Sequence, residues 1–377
     1  MKRLKIGVLT EIINYHSGSR APLEIAKHLS LQNQHVTVYA YSDLLDKQAQ
    51  EDLKNNGVQI KTIEKQNIPV FSKLIASIQL FFILKKDKPQ ITTFSGTPPF
   101  FVAAKLTGIP VVRIYQGTQF DALLENRVPN SKINLPELLL NKIVNFLIYL
   151  IDCMSFRLSN AVVAISKYSK EEGEALYRRK VVKIIYHGST NILATTNEKK
   201  PRNQINIISV SRLTPYKGFH LIIKALKKVH TAKKVNLIIA GSQPKPNYVK
   251  YLKRIGGKNL KIYIDPKDTD LAKLYRKSHI YANCDRYLYF GLPICEAALF
   301  NLPCISLNFA AAPEIVANKK TGYVAENLDQ FASYLEKMIN NPNLTFKMGQ
   351  AARKTATEIF TWEKSAQKYL EVFRKIV

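Results

Sequence analysis

The chain has 377 residues, enough for two domains, and its 46% apolar and 10% aromatic content with 15 Gly and 17 Pro excludes a low-complexity, collagen-like or disordered polymer. Its 56 Lys plus Arg against 28 Asp plus Glu leave a net charge of +28, which admits nucleic acid, an anionic membrane or phosphorylated substrates as partners. Cys153, Cys284, Cys295 and Cys304 form no C-x-x-C pair and have no His cluster beside them, which argues against a disulfide framework or a zinc site and for a reducing compartment.

In chain order, Lys2-Arg3-Leu4-Lys5 leads into Ile6 to Thr10, too short for a secretory apolar region and suited to a first buried strand, so a cytoplasmic location is expected. β-Branched runs predict strands at Lys5 to Thr10, His35 to Ala40, Gln59 to Ile63, Ile91 to Phe94, Pro110 to Tyr115 and Ala161 to Ile165. Between the first two, Ala21 to Leu31 places Leu23, Ile25, Ala26 and Leu29 on one helix face. Val70 to Leu84 carries Phe71, Leu74, Ile75, Ile78, Phe81 and Phe82 at helical spacing and runs into Lys85, Lys86 and Lys88. Ile133 to Leu158 is apolar almost all round, but its greasiest part, Ile143 to Met154, is shorter than a bilayer span. A polar run at Thr190 to Gln204 reads as a linker, dividing residues 1–190 from 191–359. Beyond it, strands are predicted at Ile205 to Val210, Val235 to Ala240, Leu260 to Tyr263, Ile280 to Ala282 and Pro303 to Ser306, with helices such as Leu221 to His230 and Leu271 to Lys277. Strands alternating with helices predict an α/β protein of two doubly wound parallel sheets.

After the strand ending at Val210, Ser211-Arg212-Leu213-Thr214-Pro215-Tyr216-Lys217-Gly218 opens a helix at Phe219. Two cations there, beside the free N–H groups of a helix N-terminus, suit a diphosphate: Arg212 as a bidentate fork, Lys217 as a point charge. Taken alone, the same residues describe a solvated basic turn. Further on stand Tyr289-Phe290-Gly291-Leu292-Pro293-Ile294-Cys295-Glu296, Asn301-Leu302-Pro303, Ala312-Pro313-Glu314 and Thr321-Gly322-Tyr323. The first half has Gly18 in its opening loop, Leu106-Thr107-Gly108-Ile109-Pro110 and Ala164-Ile165-Ser166-Lys167-Tyr168-Ser169, and Phe360-Thr361-Trp362-Glu363 precedes the last helix. In order and spacing these pieces resemble glycosyltransferase family 4 across most of the chain. The resemblance implies the GT-B fold, two Rossmann-like doubly wound domains facing across a cleft, with the helix at about 360–377 packing back on the first.

It also implies a retaining, metal-independent hexosyltransferase that uses a UDP- or GDP-sugar as donor and needs no cofactor. Arg212 and Lys217 would stabilise the leaving diphosphate, Glu296 would accept hydrogen bonds from the ribose hydroxyls, and Gly18, Gly291, Leu292 and Pro293 would line the donor. The chain departs from the family pattern at Leu288, where a sugar-contacting Glu is usual, with Asp285 three residues too early to replace it. It departs again at Gln116, where His is usual, and at His187-Gly188-Ser189-Thr190 in place of Asn-Gly-x-Asp. Gln116 is a candidate sugar-hydroxyl donor and His187 a candidate on the acceptor side, although a lone loop histidine is more often ordinary packing.

The apolar faces within 70–88 and 133–158 suit either the core of a wound sheet or an anionic membrane surface, and the second reading makes a saccharide or lipid-linked acceptor at the inner face of the cell membrane the expectation. No nucleic-acid partner is expected, since no helix-turn-helix, zinc finger or aromatic RNA motif accompanies the charge. The rival to an active enzyme is a degenerate GT-B subunit that keeps the nucleotide site without turnover.

Overall fold

A computed structural model describes residues 3–15, 19–64, 72–95, 98–118, 146, 149–150, 152–189, 200–201 and 203–377. Contacts divide the chain into two units, one of Met1–Gly117, Lys142–His187 and Trp362–Val377, the other of Thr118–Asn141 and Gly188–Thr361.

Among the described residues the first unit holds β1 (Lys5–Leu9), β2 (His35–Tyr41), β3 (Gln59–Ile63), β4 (Ile91–Phe94), β5 (Val111–Tyr115), β6 (Ala161–Ala164) and β7 (Lys183–Ile184). They form one parallel sheet in the order β3-β2-β1-β4-β5-β6-β7. Its helices are α1 (Arg20–Leu31), α2 (Lys47–Asn55), α3 (Ser72–Asp87), α4 (Pro98–Leu106) and α5 (Lys167–Tyr177). The predicted face of α1 is buried at Leu23, Ile25, Ala26 and Leu29. Local chemistry fixes the starts of two others: the Asp46 carboxylate accepts from the Ala49 N–H of α2, and Ser166 and Ser169 cap each other's backbone at α5. One core lies under α3 and α4, around Leu80, Leu84, Phe94 and Phe101, and another joins Tyr115, Phe156, Val162 and Tyr177.

The second unit holds β8 (Gln204–Val210), β9 (Lys234–Gly241), β10 (Leu260–Ile264), β11 (Ile280–Asn283), β12 (Cys304–Leu307) and β13 (Gly322–Ala325). These are again parallel, in the order β10-β9-β8-β11-β12-β13. Between and after them run α6 (Phe219–Leu226), α7 (Pro246–Gly256), α8 (Asp268–Arg276), α9 (Leu292–Leu299), α10 (Ala312–Ile315), α11 (Leu328–Asn340) and α12 (Pro342–Glu358). Ile207, Phe219, Ile222, Ile239, Leu252, Ile305, Phe331 and Leu335 lie within one continuous core.

The last helix, α13 (Trp362–Arg374), belongs to the first unit and packs on α1, where the Gln32 side chain donates to the Glu363 carbonyl at 2.8 Å. Two adjustments to the sequence reading follow. The helix expected at Leu221 to His230 runs from Phe219 to Leu226. β7 and β13 were not expected: the first has two residues, and the second opens on Gly322.

Candidate active site

In the second sheet the strand order reverses between β8, whose neighbour β9 follows it in sequence, and β11. In wound α/β sheets, ligands bind outside the carboxyl ends of the strands at such a switch point. The turn carrying Arg212 and Lys217 leaves the end of β8, and the segment Cys284 to Gly291 leaves the end of β11. A 3-10 turn at Pro215–Lys217 ends at Gly218 in the left-handed region, φ 73°. A Cβ on Gly218 would lie 2.3 Å from the Cys284 carbonyl oxygen, so only glycine lets the two turns meet at backbone distance.

Tyr216 lies between the two cations, with the Arg212 guanidinium 5.6 Å and the Lys217 ammonium 4.9 Å from its ring centroid. Lys217 is not an open charge. Its Nζ lies 2.5 Å from Asp285 Oδ2, in a pair whose side chains are 11% and 4% exposed, and Asp285 Oδ1 accepts the Tyr287 N–H at 3.0 Å. The Thr214 hydroxyl, between the two cations in sequence, is buried without a hydrogen-bond partner among the described residues.

Glu296 is buried on α9, where Oε2 accepts from the Tyr275 hydroxyl at 3.3 Å. The Tyr281 hydroxyl donates to the Val210 carbonyl at 2.9 Å, and burial, with smaller contributions from Cys304, Glu296 and Asp285, raises its pKa well above that of free tyrosine. Tyr281 thus ties β11 to the end of β8. Gly291 caps α9 at φ 90°, and Leu292 and Pro293 form its first turn. Leu288 is buried, 6% exposed, with its side chain against Gly291. The Tyr289 hydroxyl donates to the Thr118 carbonyl at 2.7 Å and accepts the Thr118 N–H at 3.0 Å.

The remaining candidates belong to the first unit. Gln116 follows β5, and its Nε2 is buried without a hydrogen-bond partner among the described residues. His187 is 3% exposed, its ring 5.2 Å from that of Trp362, and burial pushes its pKa down to about 3. The buried imidazole packs against Trp362 at the start of α13, and so weak a base cannot take a proton near neutrality, which argues against its acting as a base on the acceptor side. Gly18 lies outside the described residues. Asp268-Thr269-Asp270 forms an Asp-x-Asp run at the start of α8, but Asp270 pairs with Lys273 at 2.9 Å, and no group of His, Cys, Asp and Glu among the described residues is arranged to hold a metal. Burial raises the thiol pKa of Cys284, Cys295 and Cys304, leaving them protonated and unreactive.

Residues 194–355 match the family described as glycosyl transferases group 1. The matched stretch lies wholly within the second unit. A probable sucrose-phosphate synthase of Thermosipho melanesiensis is 29% identical over 181 residues, covering 46% of this chain and 42% of that protein, so the chain spans under half of that relative. The capsular polysaccharide biosynthesis glycosyltransferase CapM of Staphylococcus aureus is 25% identical over 333 residues, 81% of this chain and 83% of the relative. In fold, the chain is similar to Anabaena HepE, solved in complex with UDP and glucose, with TM-score 0.76 at 17% identity over 99% of this chain and 100% of that one. The architecture is therefore GT-B.

Sequence reasoning singled out Arg212, Lys217 and Glu296 as candidates but missed the ion pair that Lys217 makes. A signal for it was present: no Asp or Glu occurs from Arg212 to Ile264, and Asp285 is the one acid between Asp270 and Glu296. A counter-charge for that turn had to come from another element.

Proposed function

We propose that this glycosyltransferase moves a hexose from a nucleoside diphosphate sugar, with the diphosphate on Arg212 and Lys217 and the ribose hydroxyls on Glu296. The observation that carries the reading is the pair of cations flanking Tyr216 at the β8/β11 switch point. Glu296, an acceptor-only carboxylate when ionised, is the group in this turn region whose chemistry suits a vicinal diol. The orphaned Nε2 of Gln116 suits a sugar hydroxyl.

Charge grows on the diphosphate as the glycosidic bond breaks, and two fixed cations stabilise that charge more than the ground state, which is what accelerates the step. The reaction is retaining and metal-independent: the leaving phosphate takes the acceptor's proton, and the protein orients and neutralises. The complex of HepE with UDP favours uridine over guanosine.

The acceptor is a lipid-linked saccharide at an anionic membrane surface. Ile78 and Phe82 of α3 are 49% and 63% exposed, and Val102 and Leu106 of the neighbouring α4 are 39% and 70% exposed, beside Lys85, Lys86, Lys88 and Lys105. Phe146, Leu150, Met154 and Leu158 are exposed as well. Exposed apolar groups edged with lysine suit acidic lipid. Among the described residues no helix is long and apolar enough to cross a membrane.

The test is thermal unfolding with UDP, GDP and their sugars, followed by donor hydrolysis. UDP is expected to raise the melting temperature, and Arg212→Ala to abolish the rise. No shift with any nucleotide would sink the assignment. Leu288, apolar and buried, favours the second reading of a binding subunit without turnover, which predicts a UDP shift but no hydrolysis or transfer.

A further inference from the structure

Asp285 has no part in the mechanism above, yet it is the carboxylate that the fold brings to the cations. Its place is built in. The contact between Gly218 and the Cys284 carbonyl fixes the two turns, both members of the pair are nearly buried, and the Tyr287 N–H holds the second carboxylate oxygen. A buried ammonium without a partner is strongly disfavoured, so Asp285 holds the Lys217 side chain in place. Lys217 has three N–H donors, of which Asp285 engages one and leaves capacity for a second anion. The same carboxylate repels any phosphate drawn to Lys217.

We propose that Asp285 is a positioning residue that stations Lys217 at the diphosphate subsite and limits how tightly the spent nucleoside diphosphate is held. The inference rests on the donor reading given above. Two bare cations would bind the product diphosphate as readily as the transition state, and release would slow; a built-in counter-charge weakens both diphosphate states while holding Lys217 at one position. Asp285 therefore acts through Lys217 and needs no contact with the sugar, which separates it from the glutamate that Leu288 replaces.

The test compares wild type, Asp285→Asn and Asp285→Glu by melting temperature and by calorimetric titration with UDP, GDP and inorganic pyrophosphate. Asp285→Asn is expected to melt below wild type when free, yet to bind the preferred nucleotide about tenfold more tightly, with product inhibition deepened to match. Asp285→Glu, which keeps the charge, is expected to bind as wild type does. An Asp285→Asn protein that binds as weakly as wild type, or more weakly, overturns the proposal and leaves the pair purely structural. If wild type binds none of the three probes, the donor reading fails and the proposal with it; if wild type binds and Asp285→Asn binds equally, the proposal alone fails. Should Asp285→Asn not fold, Lys217→Met with Asp285→Asn removes both buried charges together. That double variant is expected to bind UDP more weakly than wild type, and affinity at or above wild type overturns the proposal.

Discussion

The imidazole of His187, held neutral against Trp362, couples stability to acid. In the unfolded chain it takes up a proton near pH 6.5, but in the folded chain not until about pH 3, so between those values the unfolded state binds more protons. Stability is therefore expected to fall as pH drops through that window, by about 1.4 kcal/mol per pH unit from this residue. His187→Phe keeps an aromatic ring beside Trp362 and removes the titration; denaturant unfolding at pH 7, 6 and 5 should show a shallower decline for the variant. An unchanged slope would move the titration to another group. At this scale, legibility depended on how far apart the interacting residues lie. Gly218 and the cation turn were readable because spacing within eight residues reports their chemistry. Lys217 and Asp285 are 68 positions apart, and their meeting is a product of strand order.

Elements were most legible where one face of the chain settles the matter. The alternating strands and the inner face of α1 follow from burial on a parallel sheet, and the structure places them where periodicity does. α3 is instructive because its apolar residues face two ways. Ala76, Leu80 and Leu84 are buried in the core while Ile78 and Phe82 are exposed, a division that a uniformly greasy sequence conceals. Replacing Ile78 and Phe82 together with serine should leave the melting temperature nearly unchanged, since neither side chain is buried. The same change is expected to reduce sedimentation with vesicles containing phosphatidylglycerol, and vesicles of phosphatidylcholine alone should retain little of either protein. Equal retention of both proteins on the anionic vesicles would remove α3 from the membrane reading. β7 escaped the sequence reading because a two-residue strand carries no period, and its place is set by pairing with β6.

For the molecule as a whole, the net charge of +28 is a poor guide to which anions it meets. The proposed donor site would use two of the 56 cations, and one of those is already paired with Asp285. Connectivity says more. The chain leaves the first unit after His187 and re-enters it at Trp362. Each side of that passage is pinned within its own unit: Ser365 donates to the Tyr186 carbonyl in the first, and the Ser189 N–H donates to the Phe360 carbonyl at 2.8 Å in the second. A chain stopped after Thr361 would lose α13 and uncover the face of α1 that receives it. Such a protein is expected to yield a folded second unit and an aggregation-prone first, which limited proteolysis would reveal as protection of residues 204–358 over residues 20–31. Equal protection of residues 20–31 in the shortened chain would contradict this.

The interlock also sets an order of events during synthesis. The earlier segments of the first unit leave the ribosome before residues 188–361, but α13, which packs on α1, is translated after them. The second unit can therefore close around its own core while its elder neighbour still waits, with α1 partly uncovered, for α13 to arrive.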